Sequence, residues 1–315
     1  MSTERIVNLD RKSFTVSVSE EELKDVPIIR RSELPLVWAR LSCLVRIMDL
    51  KEQDYAEALA IFKSYFIREE VLCKASNLSD DEESVQNYLD TIKYWMKDST
   101  SLIAVLEGTR EIVGVLIGRV VNKLDHSRTF SRMRLTEGEA LDKILHLRSH
   151  MNKTFDVFEH YGINEFFRIY AVTVKPQHRG QGIGMALMDS ALRLAKLLRQ
   201  TVLMGIFTSA QSQKLAFKLG METKLETYFA DWIVDDKVVF EDPGAGNYSV
   251  MLMTMEFPRA PSPIEEEIIR EEPKELPEGR KSSEENRDKA DKSIKSIKSI
   301  KSIKSDSIKS VKSDK

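Results

Sequence analysis

A chain of 315 residues, 42% of them hydrophobic, has material for one large domain or two small ones, and its net charge of −2 exerts no overall pull on nucleic acid. Two cysteines, Cys43 and Cys73, are too few for a disulfide framework, and no apolar run reaches the ~20 residues of a membrane span. The opening MSTERIVNLDRKS lacks the apolar core of a secretory leader, so the cytoplasm is the expected compartment and a monomer the expected state.

Residues 1–38 are charged and weakly periodic, with only FTVSVS suggesting a short strand, and read as an extension. The domain proper is expected over 39–257. It opens with LSCLVRIMDL as a strand and KEQDYAEALAIFKSYF as a helix with Tyr55, Leu59, Phe62 and Phe66 on one face. Residues 84–97 make a second amphipathic helix through Val85, Leu89, Ile92 and Met96, and SLIAVLEGTREIVGVLIGRVV reads as a hairpin across Gly108. The polar, Arg-rich stretch 125–136 is a loop. Leu141, Ile144, Leu145, Met151, Phe155 and Phe158 then recur at helical spacing, predicting one long helix that stops near Gly162.

A strand, FFRIYAVTV, leads into VKPQHRGQGIGMAL, after which Ile183, Leu187, Ala191, Leu194 and Leu198 form one helical stripe. TVLMGIF follows as a buried strand, SAQSQKLAFKLGM as a helix ended by Gly220, and KLETYFADWIV and YSVMLMTMEF as closing strands. This alternation predicts an α/β domain with helices on both faces of one mixed sheet. From residue 258 the chain has no aromatic residue and repeats Ser-Ile-Lys from Ser293 to Lys304, so it is expected to be a disordered charged tail. Its basic, serine-rich end offers a contact for an unidentified partner.

The stretch around Gly180, Gly182 and Gly184 has the strand, glycine turn and helix that bind anions, because the first helical turn leaves backbone N–H groups unpaired at the positive end of the helix dipole. A nucleoside triphosphate is disfavoured, since no Gly-Lys-Ser/Thr follows. A dinucleotide is disfavoured by Met185, which stands where the third small residue belongs. QHRGQG, residues 177–182, is Gln/Arg-x-x-Gly-x-Gly/Ala between a strand and an apolar helix, and it resembles the acetyl-CoA pyrophosphate loop of the GNAT superfamily of N-acetyltransferases.

That resemblance implies acetyl-CoA as cosubstrate and no metal. It also implies a mostly antiparallel mixed sheet whose two central strands splay apart. Backbone N–H groups across Gln177, His178, Arg179, Gly180, Gln181, Gly182, Ile183 and Gly184 would face the pyrophosphate, with His178 or Arg179 adding charge. Val172, Thr173 and Val174 would pair with the pantetheine arm, Gly205 would be a point of close approach, and Ser209 would complete the cofactor set.

Three further segments are similar to insect arylalkylamine N-acetyltransferases: YFIREEVLC (65–73), FTSAQSQKLAFKLGM (207–221) and YFADW (228–232). The resemblance places Glu70 on the catalytic glutamate and Thr208 and Ser212 on two hydroxyl positions. Those residue types suit the chemistry, in which an amine loses a proton and a departing thiolate gains one. Phe62, Tyr65, Phe66 and Tyr228 are candidates for the flat walls an aromatic amine needs.

Three departures stand out. Glu69 precedes Glu70, and two adjacent acids could exchange roles or merely solvate a helix end. Val71 replaces the family's Pro after the glutamate, and Ala216 stands where many GNAT enzymes carry an acidic Tyr, which moves the leaving-group role to Ser212 or Thr208. Ser209 also reads as a plain helix N-cap with Ser212 on a solvated first turn. LSDDEES offers carboxylates to a polyamine or a protein lysine, and a non-catalytic acyl-CoA-binding domain is the remaining alternative. His146 and His150, spaced i, i+4, lack the third ligand that a metal site requires.

Overall fold

The structure, a computed structural model, describes residues 35–124 and 138–259 and the backbone of two short strands, β1 (Ile6–Leu9) and β2 (Lys12–Thr15). The loop expected at 125–136, nearly all of the expected tail and most of the N-terminal extension lie outside the described residues.

Two strands, β1 and β2, lie within the expected extension, and β2 pairs with β3 (Val37–Leu41). β3 and β4 (Val45–Asp49) form an antiparallel hairpin where the sequence suggested one strand over 41–50. The reversal is made by Leu44, which adopts φ +57° and donates its N–H to the Leu41 carbonyl. A leucine in the left-handed region carries no sequence signal of a turn.

α1 (Tyr55–Ile61) continues through a π-type turn, Phe62–Phe66, and a short turn, Ile67–Glu69. At Glu70 the chain becomes extended and restarts as α2 (Val71–Ala75). The wide turn adds a residue to the register, which keeps both Phe62 and Phe66 on the buried side. α3 (Glu82–Met96) starts at Asp81, whose carboxylate accepts the Ser84 N–H at 3.1 Å. β5 (Leu102–Leu106) and β6 (Ile112–Asn122) form the expected hairpin, with Gly108 at φ +96° between them.

The expected long helix is two, α4 (Glu139–Thr154) and α5 (Val157–Tyr161). Asp156 accounts for the break: its carboxylate accepts the N–H groups of Phe158 and Glu159 at 2.8 and 3.2 Å and starts a new helix. β7 (Glu165–Val174), α6 (Ile183–Leu197), β8 (Val202–Phe207) and α7 (Ala210–Leu219) follow as expected. β9 (Glu222–Tyr228) ends at a turn over Phe229–Asp231, so KLETYFADWIV is not one strand. A small hairpin, β10 (Ile233–Val234) with β11 (Lys237–Val238), precedes β12 (Ser249–Glu256).

The main sheet runs β1-β2-β3-β4-β5-β6-β7-β8-β12-β9, antiparallel throughout except for β7 beside β8. Helices cover both faces. One core gathers Phe62, Leu72, Ile92 and Ile144 from α1 to α4, and the other is built on Ile183, Leu187, Ala191 and Leu194 of α6. No helix among the described residues is long and apolar enough to cross a membrane.

Candidate active site

β7 and β8 pair only over Phe167–Leu203, Arg168–Met204 and Ile169–Gly205. Beyond that point β7 stays paired with β6 as far as Val174 while its other edge opens away from β8. The β6–β7 register shifts at Ile117/Gly118, which leaves Tyr170 as the extra residue on β7. A bulge bends its strand, and here it lies where the two strands part. The splay therefore follows from an irregularity next to the last parallel pair.

Gly205 occupies that last pair, and its role differs from the one expected. A Cβ there would sit 2.6 Å from the Phe207 ring, so the glycine makes room for the neighbouring phenylalanine on its own strand.

The splay opens into a cleft of about 530 Å³. At one end it is lined by Val172, Thr173 and Val174 of β7 and by His178, Arg179, Gly180, Gly182, Ile183 and Gly184. Gly182 caps α6 at φ +85° and Gly180 stands at φ +71°. A Cβ at either would meet open space, with nothing beyond its chain neighbours within 4 Å, so backbone conformation and not crowding calls for glycine. The first bond within α6 runs from Ala186 N–H to the Gly182 carbonyl, and helix geometry leaves the preceding N–H groups for a ligand. Among the expected donors, His178 N–H is engaged with Lys175 O at 2.9 Å and Arg179 N–H with Pro176 O at 3.2 Å. Gln177 and Gln181 do not line the cleft.

The Arg179 guanidinium is held from two sides, by an ion pair with Glu69 and by a 2.9 Å bond from Nε to the Val174 carbonyl. It braces the glycine loop against the turn that carries Glu70. Lys214 and Lys218 of α7 also line this end, one turn apart, and bring cations that the motif did not reveal.

The other end is built from side chains that are distant in sequence. Glu70 caps α2, accepting the Cys73 N–H at 2.8 Å through Oε2, while its Oε1 accepts the Thr208 hydroxyl at 2.6 Å. Burial first, and then the nearby Glu70 charge, push the Cys73 thiol well above its usual range, so it stays neutral. Tyr65 and Phe66 line the cleft, and Tyr170 enters from β7 with its ring 4.1 Å from that of Trp95.

Two expected walls are elsewhere. Phe62 is 1% exposed and packs behind Phe66 at 5.2 Å between ring centroids, because the π-type turn points it into the core. Tyr228 is 50% exposed at the end of β9, the edge strand, and does not reach the cleft.

Ser209 and Ser212 line the cleft and also form a capping box on α7: the Ser209 hydroxyl accepts the Ser212 N–H, and Ser212 Oγ accepts the Ser209 N–H, both at 3.2 Å. Ser212 Oγ further donates to the Ser209 carbonyl at 2.9 Å. Thr208 is thus the hydroxyl in contact with Glu70, and Ser212 the one that organises the helix start. The Ala216 position, where the related enzymes' Tyr would stand, is fully buried.

His146 and His150 meet at the indole of Trp232, with centroids 5.5 and 5.0 Å away. Among the described residues no group of three His, Cys, Asp or Glu side chains is placed to hold a metal ion.

A splayed parallel pair, a glycine turn capping the next helix and a carboxylate across the opening coincide with a sequence match: residues 67–221 fit the Acetyltransferase (GNAT) family. Residues 67–221 are a GNAT acetyltransferase domain. The matched segment begins just before Glu70 and ends just after α7, so it contains the cleft's lining residues except Tyr65 and Phe66.

This acetyltransferase has no match among curated protein sequences. Its fold is similar to that of arylalkylamine N-acetyltransferase 2 from Aedes aegypti (TM-score 0.63, 21% identity, 67% of this chain and 98% of that one). A putative arylalkylamine N-acetyltransferase 7 from the same mosquito gives a TM-score of 0.62 at 22% identity, over 74% and 97% of the two chains. The polyamine N-acetyltransferase of Drosophila melanogaster, which forms N-acetylagmatine, gives 0.57 at 17% identity, over 68% and 100%.

Proposed function

We propose that this N-acetyltransferase moves the acetyl group of acetyl-CoA to the primary amine of an arylalkylamine, with Glu70 taking the proton from the amine. The observation that carries the reading is the position of Glu70: it lines the same cleft as the glycine turn and is bonded to Thr208 at the open end of β8.

The cosubstrate suits the residues present. The N–H groups at the head of α6 and the cations of Lys214 and Lys218 match phosphates, and the open edge of β7 from Tyr170 to Val174 matches the amide-bearing pantetheine arm. Acetyl-CoA supplies an activated carbonyl and a thiolate leaving group. The chain's own residues do the rest.

An alkylammonium must lose a proton before its nitrogen can attack, and Glu70 is the carboxylate at the acceptor end. Its two oxygens are oriented by the Thr208 hydroxyl and the Cys73 N–H, which fixes its aim in the absence of the family's proline. The Thr208 hydroxyl, which donates to Glu70 at 2.6 Å, gives its proton to the departing sulfur and is reprotonated by the proton that Glu70 takes from the amine. Tyr65, Phe66 and Tyr170 give flat walls suited to an aromatic ring.

The test is CoA release across tyramine, dopamine, serotonin, agmatine, spermidine and a histone peptide, with Glu70→Ala and Glu70→Gln alongside. Acetylation of the aromatic amines, lost in both variants, is the expected result. No CoA release with any amine would leave only acyl-CoA binding, and full activity in both variants would remove Glu70 from the mechanism.

A further inference from the structure

The inner end of the acceptor cleft carries a cation that the chemistry above does not use. Arg148 of α4 lines the same cleft as Glu70, and α4 packs against α2 and α3. Its one hydrogen bond among the described residues is from Nη1 to the Tyr88 hydroxyl at 3.3 Å, and its Cζ lies 6.0 Å from the centre of that ring.

It forms no ion pair among the described residues: both Glu70 oxygens are taken up elsewhere, by Thr208 and by the Cys73 N–H. Burial opposes the Arg148 charge, and the nearby Glu70 carboxylate supports it.

A second guanidinium lies close by. Arg168 of β7 is 6% exposed, stacks at 4.7 Å over the Tyr170 ring that lines the cleft, and leaves its buried Nε without a hydrogen-bond partner. Burial first, and then repulsion from Arg148, work against its charge. Cys73 and Tyr88 stay neutral because burial raises both. Arg148 thus shares the cleft with one carboxylate, Glu70, beside Phe66 and Tyr170, while Arg168 stacks on Tyr170 outside the lining. A half-buried guanidinium in a cleft lining with no ion-pair partner among the described residues gains a charge-assisted bond when an anion joins it.

We propose that the acceptor supplies that anion: the substrate is a primary amine that also bears a carboxylate on an apolar or aromatic body, and Arg148 is the specificity-determining residue that receives the carboxylate. The inference rests on the acetyltransferase reading and narrows its acceptor. A carboxylate on the substrate gives Arg148 a charge-assisted, two-pronged partner while the amine stays on the Glu70 side. The same cation repels acceptors with a second positive charge, such as agmatine and spermidine.

Matched pairs that differ only by the carboxylate test this directly: tyrosine with tyramine, tryptophan with tryptamine, and arginine with agmatine. In the intact protein the carboxylated member of each pair should have kcat/KM higher by about tenfold or more, the scale of one hydrogen bond to a charged group. Arg148→Gln should erase that preference through KM, losing at least ~10-fold on tyrosine and at most ~3-fold on tyramine, whereas Arg148→Lys should keep part of it. Melting curves establish that both variants fold.

Titration of the same pairs into the CoA-loaded protein by calorimetry gives a readout that does not need turnover. A higher kcat/KM for the decarboxylated members, or a preference untouched in Arg148→Gln, would overturn the proposal while leaving the acetyltransferase reading intact. Loss of turnover with all six amines but tighter binding of the acids would do the reverse.

Discussion

The two ends of the cleft are built in opposite ways. The cofactor end is nearly continuous in sequence, running from Val172 to Gly184 through one strand, one turn and the first residues of α6, and its binding groups are mostly backbone. The acceptor end brings Tyr65, Phe66 and Glu70 together with Arg148, Tyr170 and Thr208, from four separate stretches of the chain. Backbone donors tolerate any side chain that permits the right φ, whereas an assembly of side chains depends on each identity and on the packing that aims it. The first half can therefore be shared across acyl-CoA enzymes, and the second half sets which amine is used.

This contrast predicts a graded response to substitution. Glu70→Ala should cut kcat/KM for amine acetylation by ~10²- to 10⁴-fold, the usual range for a positioned acid or base, with acetyl-CoA affinity by calorimetry close to that of the parent. A comparable loss of acetyl-CoA affinity would mean that the two ends are not separable. Thr208→Val removes the hydroxyl on Glu70 Oε1 and should cost about tenfold or more in kcat, with KM for acetyl-CoA little changed.

At the other end, Gly182→Ala forces a Cβ into the left-handed region at an expense of ~1–2 kcal/mol, so Kd for CoA should rise roughly five- to thirtyfold while the amine KM holds steady. Smallest, Ser212→Ala should lower stability by ~1 kcal/mol through loss of the capping box, read from urea unfolding, with activity reduced far less than in Thr208→Val. A larger kinetic effect in Ser212→Ala than in Thr208→Val would exchange the roles given to these hydroxyls.

The acid side of the stability curve offers a check on the scaffold that holds Arg148. Asp81 ties the start of α3 to α4, accepting from the Ser84 hydroxyl at 2.6 Å and from the Ala140 N–H at 3.2 Å. The Ser84 hydrogen bonds, with that of Ala140, hold its carboxyl below the usual value. A depressed folded-state value means that this stabilisation is present above the unfolded pKa of ~3.9 and is lost as pH falls through the folded one. Melting curves of Asp81→Asn should therefore converge on those of the parent at low pH and lie below them at neutral pH.

Local signals were enough for the cofactor end. The alternation of β7, the loop QHRGQG and the stripe on α6 are each written within ~10 to 15 consecutive residues, where strand and helix periods show directly. The same holds for β5–β6 and for α7 with Gly220 at its end. The failures came where a rule needs a partner or a rare conformation. Leu44 turns a hairpin without a turn residue, Asp156 restarts a helix whose apolar spacing looks continuous, and a π-type turn withdraws Phe62 from the site. Tyr228 sits in a matching motif yet lies on an edge strand facing solvent.

By itself, then, the sequence determined the strand, glycine turn and helix, the hydroxyl-rich start of α7 and the presence of a glutamate at position 70, because local backbone preference and hydrophobic period need no distant partner. Only the tertiary structure decided that Thr208 rather than Ser212 meets Glu70, that Arg179 is tied to Glu69, and that Arg148 lines the acceptor cleft while Arg168 stacks on Tyr170. Those contacts join residues tens to more than a hundred positions apart. Their energies depend on burial and mutual orientation, which exist only once the helices have packed on the sheet.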